Sequence, residues 1–120
     1  MISALYLIHA VDPAKLAAVK AEMVKLGAPT VRVVDCGDHY MALEGCHRLM
    51  AAAELGIAPI LTVLAQDDMV EADSLEIDAF QAGETYTAGE VAGELHGMHN
   101  PVLKISRDGT LEAIKAKVTA

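Results

Sequence analysis

Apolar residues recur along this chain at two spacings, every second position and every third or fourth, and the switches between them mark out elements. Residues 3–9 read as a short strand. Asp12-Pro13 then opens a helix, with an acid at the N-cap and proline at the first helical position, and Gly27 closes it. Leu16, Val19, Met23 and Leu26 give that helix one apolar stripe, while Lys15, Lys20, Glu22 and Lys25 lie largely off it. Residues 30–44 predict a hairpin: 31–35 and 39–43 are β-rich runs, and Gly37-Asp38 is a two-residue loop of the glycine-first type that suits a II′ turn. That loop pairs Cys36 with His39. The same register carries Cys46 beyond the far end of the hairpin, ~20 Å from Cys36 at ~3.3 Å per residue, so no disulfide between them is expected.

After the hairpin, Gly45 breaks the strand, residues 46–55 form an alanine-rich helix closed by Gly56, and a strand follows at 59–64. Residues 73–81 predict a further helix. Thr87 and Glu90 form a capping box for a short helix that Gly97 ends. Residues 102–105 read as a strand, and Asp108-Gly109 turns the chain into an amphipathic segment over 110–118. Met41, Met50 and Met69 are expected to fill the core. Strands and helices mixed in this way predict an α/β (α+β) domain, a small mixed sheet with helices, spanning residues 1–120 without a dividing linker or repeat.

Composition narrows the functional classes. One hundred and twenty residues can bury a core without disulfide or metal staples, so the two cysteines are not required for structure. No apolar run approaches the roughly 20 residues of a membrane span. Residues 1–10 carry neither a basic leader nor a cleavage pattern, and a cytoplasmic location is expected. Nine scattered basic residues and a formal charge of −8 disfavour nucleic acid as a partner, because such binding rests on clustered Lys and Arg. A single small anion held by a few aimed donors remains compatible with that charge.

The strand-to-helix turn Glu44-Gly45-Cys46-His47-Arg48 fits such an anion. The amides of a first helical turn point at whatever sits above it, and His47 and Arg48 place cations where they oppose the helix dipole by ~0.3–1 kcal/mol each unless an anion is bound. Arg48 offers a planar fork and His47 a further donor. Cys46 has two readings: a thiol activated by the helix end and its basic neighbours, or a small buried helix residue. Glu44 is either a magnesium ligand or general base, or a strand-end carboxylate balancing Arg48. Lys15, third in its helix, either reaches the same phosphates or is a solvated surface lysine.

Gly45-Cys46-His47-Arg48, followed by Ala51-Ala52, Leu55-Gly56 and a strand led by Pro59, resembles the signature of sulfiredoxins within the ParB/sulfiredoxin superfamily, and Asp12-Pro13-Ala14-Lys15 resembles the start of their nucleotide-contacting helix. The resemblance covers residues 12–64. It implies a ParB/sulfiredoxin-like fold and an ATP and Mg²⁺ site, with Lys15, Gly45, His47 and Arg48 on the phosphates and Cys46 as nucleophile toward a protein sulfinate. Ala18 and Glu22 stand where sulfiredoxin helices usually carry hydroxyl residues, Glu44 replaces a small residue, and residues 65–120 have no counterpart in that family. The expectation is a nucleotide-binding phosphotransfer enzyme acting on a sulfinate or a small metabolite, the alternative a non-catalytic ParB-like nucleotide-binding module. Residues 65–120 are left either to cover the pocket or to form a homodimer contact.

His96 and His99 could place two imidazoles on one ion or simply complement a helix C-terminus. The acids at 67, 68, 71, 73, 76 and 78 lack the glycine and spacing of a calcium loop and read as a solvated face.

Overall fold

The computed structural model of the chain describes residues 2–7, 11–75, 81, 83–95 and 102–113. Local signals set the first half. Asp12 caps helix α1 (Pro13–Leu26), its carboxylate accepting the Ala14 N–H at 3.1 Å, and the Gly27 N–H closes the helix on the Met23 carbonyl at 2.8 Å. Strands β2 (Thr30–Asp35) and β3 (Tyr40–Ala42) form the expected hairpin. Its turn places Cys36 against His39, the Cys36 N–H donating to the His39 carbonyl at 2.9 Å. Gly37 has φ +95° and Asp38 a negative φ, the glycine-first pattern of a II′ turn. Helix α2 (Cys46–Leu55) lies between Gly45 and Gly56, and strand β4 (Ile60–Leu64) follows.

Strands β1 (Ala4–Tyr6), β7 (Val102–Ile105) and β8 (Leu111–Ala113) complete a six-stranded mixed sheet of order β4-β2-β3-β1-β7-β8. β4 runs parallel to β2 and β1 parallel to β3; the other neighbours are antiparallel. Helix α3 (Ala88–Leu95) starts at the capping box, with Glu90 Oε1 accepting the Thr87 N–H at 3.0 Å and Thr87 Oγ1 the Glu90 N–H at 3.1 Å. The architecture is α+β.

The core lies between the sheet and α2. Leu5, Val31, Val33, Cys46, Leu49 and Leu103 are buried there, while Val34 and Met41, paired on the opposite face of the sheet, are buried on its other side. The opposite side of α2 presents Ala51 and Ala52 to Met23 of α1, with Leu16 and Val19 packed alongside, so α2 is sandwiched between the sheet and α1. The alanines let the two helices approach closely.

Several expectations are corrected. The stripe on α1 stops at Met23; Leu26 is 79% exposed, because the facing patch of α2 is only a few residues long. Met41 and Met50 fill the core, but Met69 is 60% exposed. It lies on β5 (Met69–Glu71), which pairs with β6 (Thr85–Thr87) in a separate two-stranded sheet, and strand alternation buries Val70 in its place. Of the helix expected over 73–81, the described residues show only the 3₁₀ turn Ala72–Ser74, after which Leu75 is extended; residues 76–80 lie outside the described residues. So do His96, Gly97, His99 and residues 114–118 of the last segment. No helix among the described residues is long and apolar enough to cross a membrane.

Candidate functional site: the cleft at the start of helix α2

Gly45 enters α2 with φ +69° and ψ +30°, a left-handed conformation that L side chains rarely adopt. A Cβ there would lie 2.9 Å from Val31 Cγ2 and 3.1 Å from Arg48 Nη2, so packing as well as backbone demands glycine. Its carbonyl accepts the first helical bond, from the Leu49 N–H at 2.8 Å. Gly45, with no side chain, offers the first turn no side-chain cap of its own.

Lys15, Ala18, Val19 and Glu22 of α1 and Gly45, His47 and Arg48 of the turn line one cleft of about 630 Å³, within the usual size range of small-molecule sites. Four of the residues expected at a phosphate site, Lys15, Gly45, His47 and Arg48, thus converge from elements thirty residues apart. Two cations and one carboxylate, Glu22, make the wall locally positive in a chain of net charge −8.

Arg48 is anchored before any ligand arrives. Its Nη1 donates to the Thr30 carbonyl at 3.0 Å and its Nη2 lies 4.0 Å from Glu44 Oε1, which holds the guanidinium at the cleft wall. His47 is positioned differently. Its Nε2 accepts the backbone N–H of Asp12 at 3.0 Å. A backbone amide only donates, so Nε2 is unprotonated and the ring proton sits on Nδ1. This bond ties the cap of α1 to the first turn of α2.

Cys46 and Glu44 stand outside the cleft. Cys46, at the first position of α2, is fully buried and packs in the core with Val31 and Leu49. Glu44 is held by Arg32 rather than chiefly by Arg48: Arg32 Nε and Nη2 donate to its two oxygens at 3.1 Å each, and the Arg32 N–H adds a contact at 3.3 Å. Burial alone would raise the Glu44 pKa, but the Arg32 hydrogen bonds and charge, with Arg48 behind them, hold it below the usual carboxylate value. Arg32 also donates to Ser74 Oγ at 3.2 Å and to its carbonyl at 3.0 Å, joining the hairpin to the segment after β5. The hairpin register, which sets Arg32 beside Leu43 and Glu44, held the signal for this pair.

A second hollow of about 610 Å³ is lined by Asp35, Cys36, Gly37, His39, Gln66, Gly89, Ala92 and Gly93. Burial raises the Cys36 thiol pKa despite an opposing hydrogen bond from Gln66, and the Asp35 and Asp38 charges raise it further, so this thiol is kept protonated. Asp67, Asp68, Glu71 and Asp73 are solvated as expected, although Asp68 accepts the Ala65 N–H at 2.7 Å and Asp73 the Gly83 N–H at 3.1 Å as turn-fixing carboxylates. Among the described residues no group of three or more His, Cys, Asp or Glu is arranged to hold a metal ion.

Comparison with protein-family models, with curated proteins and with solved structures found no match for this chain.

Proposed function

We propose that the cleft between α1 and the start of α2 binds the phosphates of a nucleotide, and that the domain acts first as a nucleotide-binding module. The observation that carries this reading is the convergence of Lys15, His47 and Arg48 on one cleft. The Arg48 fork takes non-bridging oxygens in a bidentate contact, and Lys15 adds a point charge from the facing helix. Ala18 and Val19 offer apolar surface for the sugar or base. Mg²⁺ would arrive on the phosphates and screen their charge; among the described residues Glu22 is the one carboxylate lining the cleft to meet it.

The resemblance of Gly45-Cys46-His47-Arg48 to the sulfiredoxin turn is what suggests nucleotide over another anion. The burial of Cys46 favours binding without thiol chemistry, because a thiolate attack on a protein sulfinate needs that sulfur at the surface. Phosphotransfer to a small hydroxyl acceptor is the catalytic form of the same site. Glu44 would serve it poorly as a base, being ionised, hydrogen-bonded through both oxygens and outside the cleft.

Calorimetric titration with ATP, ADP and CTP in the presence of Mg²⁺ tests the reading. Saturable binding is expected, weakened about tenfold to a hundredfold by Arg48→Ala, the value of one or two charge-assisted hydrogen bonds. Affinity unchanged in Arg48→Ala, or no binding by any of the three, refutes it.

A further inference from the structure

We infer that strand β4 is a homodimer interface, in which two copies of the chain pair their β4 strands antiparallel about a two-fold axis at Thr62. This rests on the edge of the sheet and is independent of what the cleft binds.

β4 is a terminal strand of the six-stranded sheet. Its sequence, Ile60-Leu61-Thr62-Val63-Leu64, has no charge and no proline, the usual guards of an exposed edge. Ile60 is 57% and Val63 46% exposed, although they point to opposite faces. The exposure therefore belongs to the edge and not to one face.

The hydrogen bonds define the free window. The Ile60 N–H donates to the Pro29 carbonyl at 2.8 Å, so alternation turns Ile60, Thr62 and Leu64 toward β2 and turns the N–H and C=O groups of Leu61 and Val63 outward. Among the described residues no hydrogen bond reaches those outward groups. On one side the window ends at Pro59, which has no N–H. On the other it ends at Ala65, whose N–H is taken by Asp68 Oδ2 at 2.7 Å. The outward donors are thus confined to two residues placed symmetrically about Thr62.

A window with that symmetry matches itself. Set antiparallel about Thr62, Leu61 of each copy faces Val63 of the other, and each pair exchanges two backbone hydrogen bonds, four in all. Ile60 faces Leu64, so the exposed apolar side chains cover one another. Charge also permits this contact in a chain of net −8. The strand itself is neutral, so pairing it with its own copy sets no like charges face to face within the strand. An isologous contact of this kind closes on itself and joins two sheets into one of twelve strands.

Sedimentation velocity of the wild type, from micromolar to several hundred micromolar, is expected to show a species of twice the 12.6 kDa chain mass. Thr62→Lys and Thr62→Glu each place like charges face to face on the axis, and each alone is expected to sediment as monomer. Mixed in equal amounts, the two are expected to form a heterodimer, which unfolded variants would not do. At the axis the Thr62 pair is of the closely spaced, non-hydrogen-bonded type, with Cα atoms ~4.5 Å apart, so Thr62→Cys is expected to give a disulfide-linked dimer under oxidised glutathione while Leu61→Cys is not. A wild type that stays monomeric throughout, as it would if a different partner owned this edge, overturns the inference. So does a dimer that survives Thr62→Lys, or one linked as readily through Leu61→Cys.

Discussion

Gly45 and Gly56 bound the same helix with nearly the same backbone, φ +69° at both and ψ +30° and +27°, yet they differ in what surrounds them. A Cβ on Gly56 meets nothing within 4 Å, whereas a Cβ on Gly45 meets Val31 Cγ2 at 2.9 Å and Arg48 Nη2 at 3.1 Å. The conformational part of a Gly→Ala change is therefore common to both: ~1–2 kcal/mol of left-handed strain, offset by ~0.4–1 kcal/mol from a stiffer unfolded chain. Gly56→Ala is expected to destabilise by about 1 kcal/mol. Gly45→Ala adds overpacking against a fully buried valine, ~1–3 kcal/mol, for about 2–4 kcal/mol in total. Urea unfolding followed by circular dichroism reads the difference as a midpoint shift of about 1 M at a slope of ~2 kcal/mol per molar. The double variant Gly45→Ala/Val31→Ala isolates the clash: the second change removes the methyls the new Cβ meets, so the two losses should add to less than their sum. Equal losses at Gly45 and Gly56, or strict additivity with Val31→Ala, would refute the argument that packing as well as backbone conformation requires glycine at the cleft.

The remaining predictions concern Glu44 and Cys46. Glu44→Gln leaves Arg32 partly desolvated without its anion and is expected to cost about 1–3 kcal/mol at neutral pH. Because folding lowers the Glu44 pKa, its contribution is present above the ordinary carboxylate value and is lost as pH falls through the depressed one. The gap between wild type and Glu44→Gln should therefore close below about pH 4; a gap undiminished at pH 3 sinks the assignment. Cys46, in a Cys36→Ser background, should react with a thiol reagent only at the rate of unfolding, and Cys46→Ala should leave nucleotide affinity unchanged. Rapid labelling of native protein would instead return Cys46 to the surface chemistry expected of a nucleophile.

Those features of the fold that depend on a few adjacent residues were legible in the sequence. Asp12-Pro13, the Gly37-Asp38 loop, the glycines flanking α2 and the Thr87/Glu90 box each specify their own local geometry, and the structure has all of them. The pairing of β5 with β6 was not legible, because two three-residue strands separated by more than a dozen residues show too few alternations to register as a pattern. The acids around Asp73 suit a helix start, whereas the chain makes one 3₁₀ turn over Ala72–Ser74 and is extended at Leu75; the rest of the expected helix, residues 76–80, lies outside the described residues. At the site, the first-turn residues were visible as a motif, and Lys15 through the resemblance of its own helix start. That Arg32 would claim Glu44, and that His47 would accept from Asp12, depend on how the hairpin and α1 dock on α2, and no single segment encodes that.

The bond from the Asp12 N–H to His47 Nε2 bears on how this protein would respond to selection. A glutamate at position 47 would accept the same N–H while favouring the positive start of α2, so His47→Glu is a change that a library sorted for folding alone would reward. It would also put a negative charge on the wall of the cleft proposed to hold an anion. Repeated rounds of such sorting would move the chain away from the basic turn it now has. A histidine retained here, in a population under stability pressure, would therefore be a sign that ligand occupancy is itself being selected.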